Sequence, residues 1–377
     1  MVYSTHEVRR IERYIHERAD WPDFRWDVAA IQSVLVPLSR RRDRILGRMD
    51  GLGLALREEA ALRTLTLDVV ASSEIEGETL NPAQVRSSIV RRLGLDPHLA
   101  DPSAHRKPHV DGVVAMMVDA THGADVPLTA ERLFGWHRDL FPELSGRSRM
   151  ILGAWRVDPI QVVSSRLDRT IVYFEGPEPT RVPGEMAAFL GWIEADETDG
   201  ILQSAIAHLW FVTIHPFEDG NGRIGRAIAD RALARSEGTA QRYYSMSAQF
   251  LKEQKAYYAI LERTQKGNLD ITEWLLWFIG SLGRALDHMD TVLGVVLGKA
   301  RFWGLHAGNA LHKRQVKMLN AVLDGQVDIL TSSKWAKMTQ CSHDTALRDI
   351  GALVALGILV PGEEGGRSTC YHLASTR

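Results

Sequence analysis

One stretch of twelve residues constrains this chain more than any other: His215-Pro216-Phe217-Glu218-Asp219-Gly220-Asn221-Gly222-Arg223-Ile224-Gly225-Arg226. The run before it, Ile201 to Ile214, is mostly apolar and long enough for a buried helix. The run after it, Arg223 to Ser236, is rich in Ala, Arg and Leu and also reads as helix. Helix, tight loop, helix is therefore the predicted local structure. Glycines reach left-handed backbone angles cheaply, so the N–H groups of a Gly-Asn-Gly turn can converge on one anion. The new helix adds its unpaired amides and the positive end of its dipole. Arg223 and Arg226 stand three apart on one face, so both can reach a polyphosphate with planar, bidentate donors. Asp219 offers the hard oxygen that Mg²⁺ on a nucleotide phosphate prefers, and His215 is an imidazole placed to act as general base. The competing reading is a helix-capping loop with a satisfied histidine and surface arginines. That reading suits a lone Gly-Asn-Gly, but not all these groups at fixed spacing.

Composition narrows the rest. A chain of 377 residues allows two or three domains and a large core. A net charge of −2 and a pI near 6.7 argue against a polyanion-binding surface overall. Met1 to Arg18 alternates charged with apolar residues, unlike a signal peptide or anchor, and no apolar run reaches membrane-spanning length. Only Cys341 and Cys370 occur, which fits a reducing cytoplasm better than a disulfide scaffold. Helix formers dominate, so the expected class is mainly α.

The twelve-residue stretch resembles the Fic family signature, His-x-Phe-x-(Asp/Glu)-Gly-Asn-Gly-Arg-x-x-Arg, at every defined position. The resemblance implies a helical Fic core with a β-hairpin flap that transfers AMP from ATP to a Tyr, Ser or Thr hydroxyl of a target protein or of itself. It implies His215 as the base that deprotonates the acceptor and Asp219 as the Mg²⁺ ligand. It further implies Gly220, Asn221 and Gly222 around the α-phosphate, with Arg223 and Arg226 on the outer phosphates.

Upstream, Leu52 to Val70 reads as a helix ending in Ala71-Ser72-Ser73-Glu74-Ile75-Glu76-Gly77, with Asn81-Pro82 as cap and first turn of the next. Ser72-x-x-x-Glu76-Gly77 is similar to the Fic inhibitory motif, (Ser/Thr)-x-x-x-Glu-(Gly/Asn), in the class that carries its inhibitory helix before the core. The implied brake is a Glu76 carboxylate occupying the Arg226 fork that should hold the γ-phosphate. A second role implied by the family is removal of AMP with help from the same Glu76. The bland reading of Glu76 is a surface carboxylate at a helix end.

Ile160-Gln161-Val162-Val163 and Thr170-Ile171-Val172-Tyr173-Phe174 are β-rich and separated by a turn, which predicts a hairpin. The family places its flap here, an edge strand that clamps the acceptor segment by main-chain pairing. Asp96 to His109 carries histidines and acids but no metal-ligand spacing. His137 reads as a core or helix-end histidine. Gln241-Arg242-Tyr243-Tyr244-Ser245 and Tyr257-Tyr258 suit either an adenine slot or helical packing.

The expected domains are 1–50, a small N-terminal helical unit around Trp21-Pro22; 51–297, the Fic core with its inhibitory helix (about 52–77), flap (about 160–174) and loop (215–226); and 298–377. In the last, three helices and a hairpin look like a winged helix. Between Leu311 and Arg377 there are eight Lys/Arg against six Asp/Glu, poor equipment for a phosphate backbone. Protein docking or homodimer contact is preferred there over DNA. The rival functions are AMP removal or another nucleotide or phosphate transfer, and a DNA-binding regulator whose Fic core senses nucleotide. An intact His215 favours the enzyme, because phosphate binding alone needs no base.

Overall fold

The computed structural model describes residues 13–142, 150–166, 169–195, 198–327, 329–362 and 369–374. The chain divides into two compact units, Met1–Met289 and Asp290–Arg377.

The first unit is mainly helical. A 3-10 turn at Ile15–Glu17 precedes α1 (Val28–Asp50), α2 (Leu54–Ile75), α3 (Pro82–Leu93), α4 (Pro108–His122) and α5 (Ala130–Leu140). An antiparallel hairpin follows, β1 (Gln161–Arg166) and β2 (Arg169–Glu175), with a register irregularity between Val162 and Val163. Then come α6 (Val182–Ala195), α7 (Gly200–Ile214), α8 (Asn221–Glu237), α9 (Met246–Lys252) and α10 (Gln254–Gln265). The next helix, α11 (Thr272–Leu305), carries the unit boundary within it.

The core is organised around α7. Its sequence is apolar on all sides, and every residue from Ile201 to Ile214 is buried. Several of the polar groups it takes inside are satisfied: Ser204 Oγ donates to the Ala229 carbonyl at 2.8 Å, and His208 Nε2 lies 2.8 Å from the Tyr257 hydroxyl.

The following helix, α8, is different, because its buried residues include Arg223, Arg226, Asp230 and Arg231. Buried charges persist only when paired. Accordingly Arg226 meets Glu76, Arg231 meets Glu194 at 2.8 Å and Asp230 meets Arg242. These pairs bind α8 to α2, to α6 and to the segment before α9.

The end of α2 has a specific geometry. Gly77 takes φ +80°, the Gly77 N–H reaches the Glu74 carbonyl at 2.9 Å, and the Glu78 N–H reaches Ser73 at 3.0 Å. This is a Schellman termination, which a left-handed glycine makes cheap. It leaves Glu76 and Glu78 at the C-terminal tip of α2. Asn81 then caps α3 by accepting from the Ala83 and Gln84 N–H groups, as the Asn-Pro pair predicts.

In the second unit, α12 (Lys313–Leu323), β3 (Leu330–Thr331), α13 (Ser332–Thr339), α14 (His343–Ala355), β4 (Leu359–Pro361) and β5 (Cys370–Leu373) follow in order. The sheet order is β3-β5-β4. Its own small core holds Phe302, Met318, Leu319, Trp335, Ile350 and Leu353. Ser342 caps α14 through the Thr345 N–H, as its sequence suggests. Residues 167–168, between β1 and β2, and most of 362–366, between β4 and β5, lie outside the described residues. Among the described residues no helix is long and apolar enough to cross a membrane.

Candidate active site

The loop between α7 and α8 starts at His215, the C-cap of α7, which sits in the left-handed region at φ +52°. His215 Nδ1 lies 3.1 Å from the Val212 carbonyl. That contact fixes the tautomer with the proton on Nδ1, so Nε2 keeps its lone pair and has no partner among the described residues. Burial pushes the His215 pKa below the usual imidazole value, against the pull of the Val212 carbonyl. The ring is therefore neutral near pH 7.

A guanidinium that the sequence did not flag holds this histidine in place. Arg156 is buried and donates from Nε to the His215 carbonyl at 2.8 Å, from Nη1 to Asp158 at 3.0 Å and from Nη2 to Pro177 at 2.5 Å. The loop start and the exit of the hairpin thus share one arginine. Beneath the loop, Phe217 is fully buried and stacks on His137 with centroids 4.3 Å apart. His137 is a core histidine, its pKa pushed down by burial to about 4.

The Asn221 side chain staples the turn. Its Oδ1 accepts from the Phe217 N–H at 2.9 Å and its Nδ2 donates to the Phe217 carbonyl at 2.8 Å. Gly220 takes φ +81° as the N-cap of α8, and the first helical bond is Ile224 N–H to the Gly220 carbonyl. The amides of Asn221, Gly222 and Arg223 precede that bond, so they form the anion-attracting start of the helix. Asp219 is exposed; its Oδ1 accepts from the Gly220 N–H at 2.6 Å, which leaves Oδ2 for a cation. Among the described residues no group of three or more His, Cys, Asp or Glu side chains that could hold a metal ion occurs.

Both arginines of the motif are engaged by the tip of α2. Arg226 is 2% exposed; its Nη2 lies 2.8 Å from Glu76 Oε1, while Nε and Nη2 also reach Ser72 Oγ at 2.9 Å and the Ser72 carbonyl at 2.8 Å. Burial works against the Arg226 charge, and the Glu76 carboxylate outweighs it, so its pKa is raised. A Cβ built on Gly222 would lie 2.0 Å from Glu76 Oε1, so the carboxylate rests on the space that only glycine leaves at the helix start. The α2 tip is itself held: Gln254 Nε2 and the Tyr258 hydroxyl donate to the Ile75 carbonyl at 3.0 and 3.2 Å.

Arg223 Nη1 lies 2.9 Å from Glu78 Oε2, and its guanidinium stands over the Phe141 ring at 5.1 Å. Glu78 Oε1 in turn lies 2.6 Å from His109 Nε2, and His109 Nδ1 reaches the Leu140 carbonyl at 3.2 Å. Sequence reasoning missed both Glu78 and His109. The signal available for Glu78 was its place as the residue after a helix-stopping glycine; His109 gave none.

The other aromatic candidates separate. Tyr258 is half-exposed at the α2 tip, whereas Tyr257 is buried on His208. Arg242 and Tyr244 line a cavity of about 240 Å³ whose walls include no residue of the 215–226 loop. On the hairpin, Gln161, Val162 and Val163 are exposed and Ile160 half-buried. Strand β1 pairs only with β2 among the described residues, so its outer edge is open.

Residues 127–233 match the Fic/DOC family model, and residues 14–95 match a domain of unknown function, DUF4172. The uridine 5'-monophosphate transferase of Xanthomonas campestris pv. campestris is 34% identical over 117 residues, 29% of this chain and 21% of that protein. The protein adenylyltransferase Fic of Culex quinquefasciatus is 30% identical over 219 residues, 54% of this chain and 40% of that protein. The chain thus spans about a fifth to two fifths of the length of these relatives. A crystal structure of a Fic family protein from Desulfovibrio desulfuricans shares the fold with a TM-score of 0.51 at 21% identity, covering 93% of this chain and 98% of that one. Signature loop, family model and fold agree: residues 127–233 of this mainly helical chain match the Fic/DOC family, and the fold is of the Fic type.

Proposed function

We propose that the protein is a nucleotidyltransferase that moves AMP from ATP onto a protein hydroxyl and that the tip of α2 holds it inactive. The observation that carries this reading is His215: a neutral imidazole with Nδ1 tied to Val212 and Nε2 free, at the mouth of a glycine-lined helix start flanked by two arginines. Nε2 takes the acceptor proton, the acceptor oxygen bonds the α-phosphorus, and the bond to the bridging oxygen breaks to release pyrophosphate. The amides of Asn221 and Gly222 stabilise the α-phosphate, while Arg223 and Arg226 bind the outer phosphates. Mg²⁺ on Asp219 would neutralise phosphate charge, a role suited to its exposed, half-engaged carboxylate. The open edge of β1, from Ile160 to Val163, is the proposed acceptor-docking strand.

The brake follows from competition. Glu76 holds Arg226 and lies where an anion would meet Gly222, and Glu78 holds Arg223. A nucleotide must displace one carboxylate or both, or bind with its α-phosphate out of line, which costs large factors in rate. The three-part division at 50/51 and 297/298 belongs to this reading. So does a winged-helix C-terminal part, supported by its helix-strand-helix-helix-strand-strand order. There Arg314 is committed to Asp349 at 2.8 Å, which further weakens a DNA-binding role.

A second reading, UMP transfer, is favoured by the Xanthomonas relative. The test incubates Glu76→Gly protein with ATP or UTP labelled at the α-phosphate. Label on protein from ATP in preference to UTP supports the proposal. A reversed preference makes it a uridylyltransferase, and label from neither removes the transferase reading.

A further inference from the structure

The segment before α1 belongs to a region whose family model has no assigned function, yet it grips one end of the flap. Tyr14, Ile15 and His16 are buried. His16 Nε2 donates to the Glu175 carbonyl at 2.9 Å. Glu175 is the last residue of β2 and pairs in register with Gln161, the first of β1, whose Nε2 also donates to Glu175 Oε1 at 3.0 Å. The Tyr14 and His16 rings meet the buried Phe174 ring edge-on, with centroids 5.1 and 5.7 Å away. Arg181, in the turn just before α6, donates to the His16 carbonyl at 3.0 Å. The contacts of Tyr14 and His16 thus fall on Phe174, Glu175 and Arg181 rather than on the free edge of β1.

The base of the hairpin is therefore held from two directions. One is the 14–16 segment on Glu175; the other is Arg156, which ties Pro177, two residues further on, to the His215 carbonyl. We propose that Tyr14 to Glu17 is a fixed abutment that sets the height of the flap over His215. In it His16 is a positioning residue for the protein acceptor. This rests on the reading of the chain as a protein-modifying transferase. Affinity for the nucleotide should not depend on His16, because its side-chain hydrogen bond and its ring contacts go to Glu175, Phe174 and Tyr14 rather than to the 220–226 loop. A strand that docks by main-chain bonds is sensitive to such a support, since small misplacements of the acceptor hydroxyl carry large rate penalties.

The test uses the full chain with Glu76→Gly, alone or combined with His16→Ala or His16→Gln. The acceptor is an inert copy of the chain, Glu76→Gly/His215→Ala, supplied in trans. Amide hydrogen exchange of the hairpin is measured in parallel. Loss of one buried hydrogen bond is worth about a fivefold effect. The His16→Ala protein should raise the acceptor KM and speed exchange at Gln161–Val163 and Val172–Gly176 by about that factor, with nucleotide affinity within about twofold. His16→Gln, which keeps a donor at a similar reach, should recover most of both. Unchanged hairpin exchange in His16→Ala overturns the proposal, as does a His16→Gln protein equally impaired. If no variant transfers label at all, the transferase reading fails, and the exchange rates still decide whether the abutment exists.

Discussion

Removing Glu76 should make the protein less stable when empty and more stabilised by nucleotide, and the size of both effects follows from the site. Arg226 is 2% exposed, so deleting its partner strands a buried cation. Breaking a fully buried pair costs roughly 3–5 kcal/mol. Two features reduce that here: the Glu76 side chain is 34% exposed, and Arg226 keeps its bonds to Ser72 Oγ and the Ser72 carbonyl. The cost of Glu76→Gly is then about 1–2 kcal/mol after allowance for solvent screening. In a unit of this size that lowers Tm by about 2–6 °C. ATP brings a phosphate to the vacated fork, so it should bind the variant at least about tenfold more tightly, which is about 1.4 kcal/mol of linkage. Thermal melts followed by tryptophan fluorescence suit this, since eight of the ten tryptophans precede residue 290. Glu76→Gln, which keeps an acceptor but no charge, should fall between. Wild-type and Glu76→Gly proteins that melt together, with equal shifts on adding ATP, would refute the competition for Arg226.

Adding Glu78→Gln to Glu76→Gly should tighten nucleotide binding by a further two- to threefold or so, a modest factor because the Glu78–Arg223 pair is partly solvated; titration calorimetry reads it. Asn221→Ala removes two bonds to the Phe217 backbone and should cost about 1–3 kcal/mol in denaturant unfolding, with loss of nucleotide affinity. Because burial lowers the His215 pKa, its base form is complete near pH 7. Transfer by Glu76→Gly should therefore be flat above pH 6.5 and fall only on the acid side; a rate still climbing between pH 7 and 8 would contradict the assignment. Stability has its own acid limb. His137 and His208 are buried with pKa values of about 4, below the unfolded imidazole value of 6.5, so the unfolded chain binds protons first. Their contribution is complete above pH 6.5 and is lost as pH falls towards 4, which chemical denaturation across that range will show.

Much of this arrangement was legible in the residues. The apolar run before His215, the Gly-Asn-Gly turn and the two arginines three apart specify helix, loop and helix, because local backbone preferences decide each step. Gly77 and Asn81-Pro82 likewise stop one helix and start another through local geometry. The charged stripe of α8 shows the limit: Arg223, Arg226, Asp230 and Arg231 look like a solvated face by composition, yet they are buried and paired. Their partners lie far away in sequence, Glu76 at a separation of 150 and Glu78 at 145, and no periodicity encodes such meetings. The Ser72–Glu76 pattern is legible only through its resemblance to a known motif. Arg156 escaped notice for a related reason: its donors go to main-chain carbonyls of His215 and Pro177, which leave no trace in side-chain patterns. Within the Tyr257-Tyr258 pair the sequence offered an adenine slot or helical packing to both rings. Tertiary structure separates them, burying Tyr257 on His208 and leaving Tyr258 at the tip of α2.

The most direct test of the central claim is incorporation of label from ATP marked at the α-phosphate, with Mg²⁺ present, by wild type, Glu76→Gly and Glu76→Gly/His215→Ala, with nucleotide affinity measured for each. Label on protein is expected from Glu76→Gly alone, with undiminished nucleotide binding in the double variant. Equal labelling by Glu76→Gly and the double variant would show that His215 is not the base, and labelling by wild type as strong as by Glu76→Gly would show that α2 is not a brake.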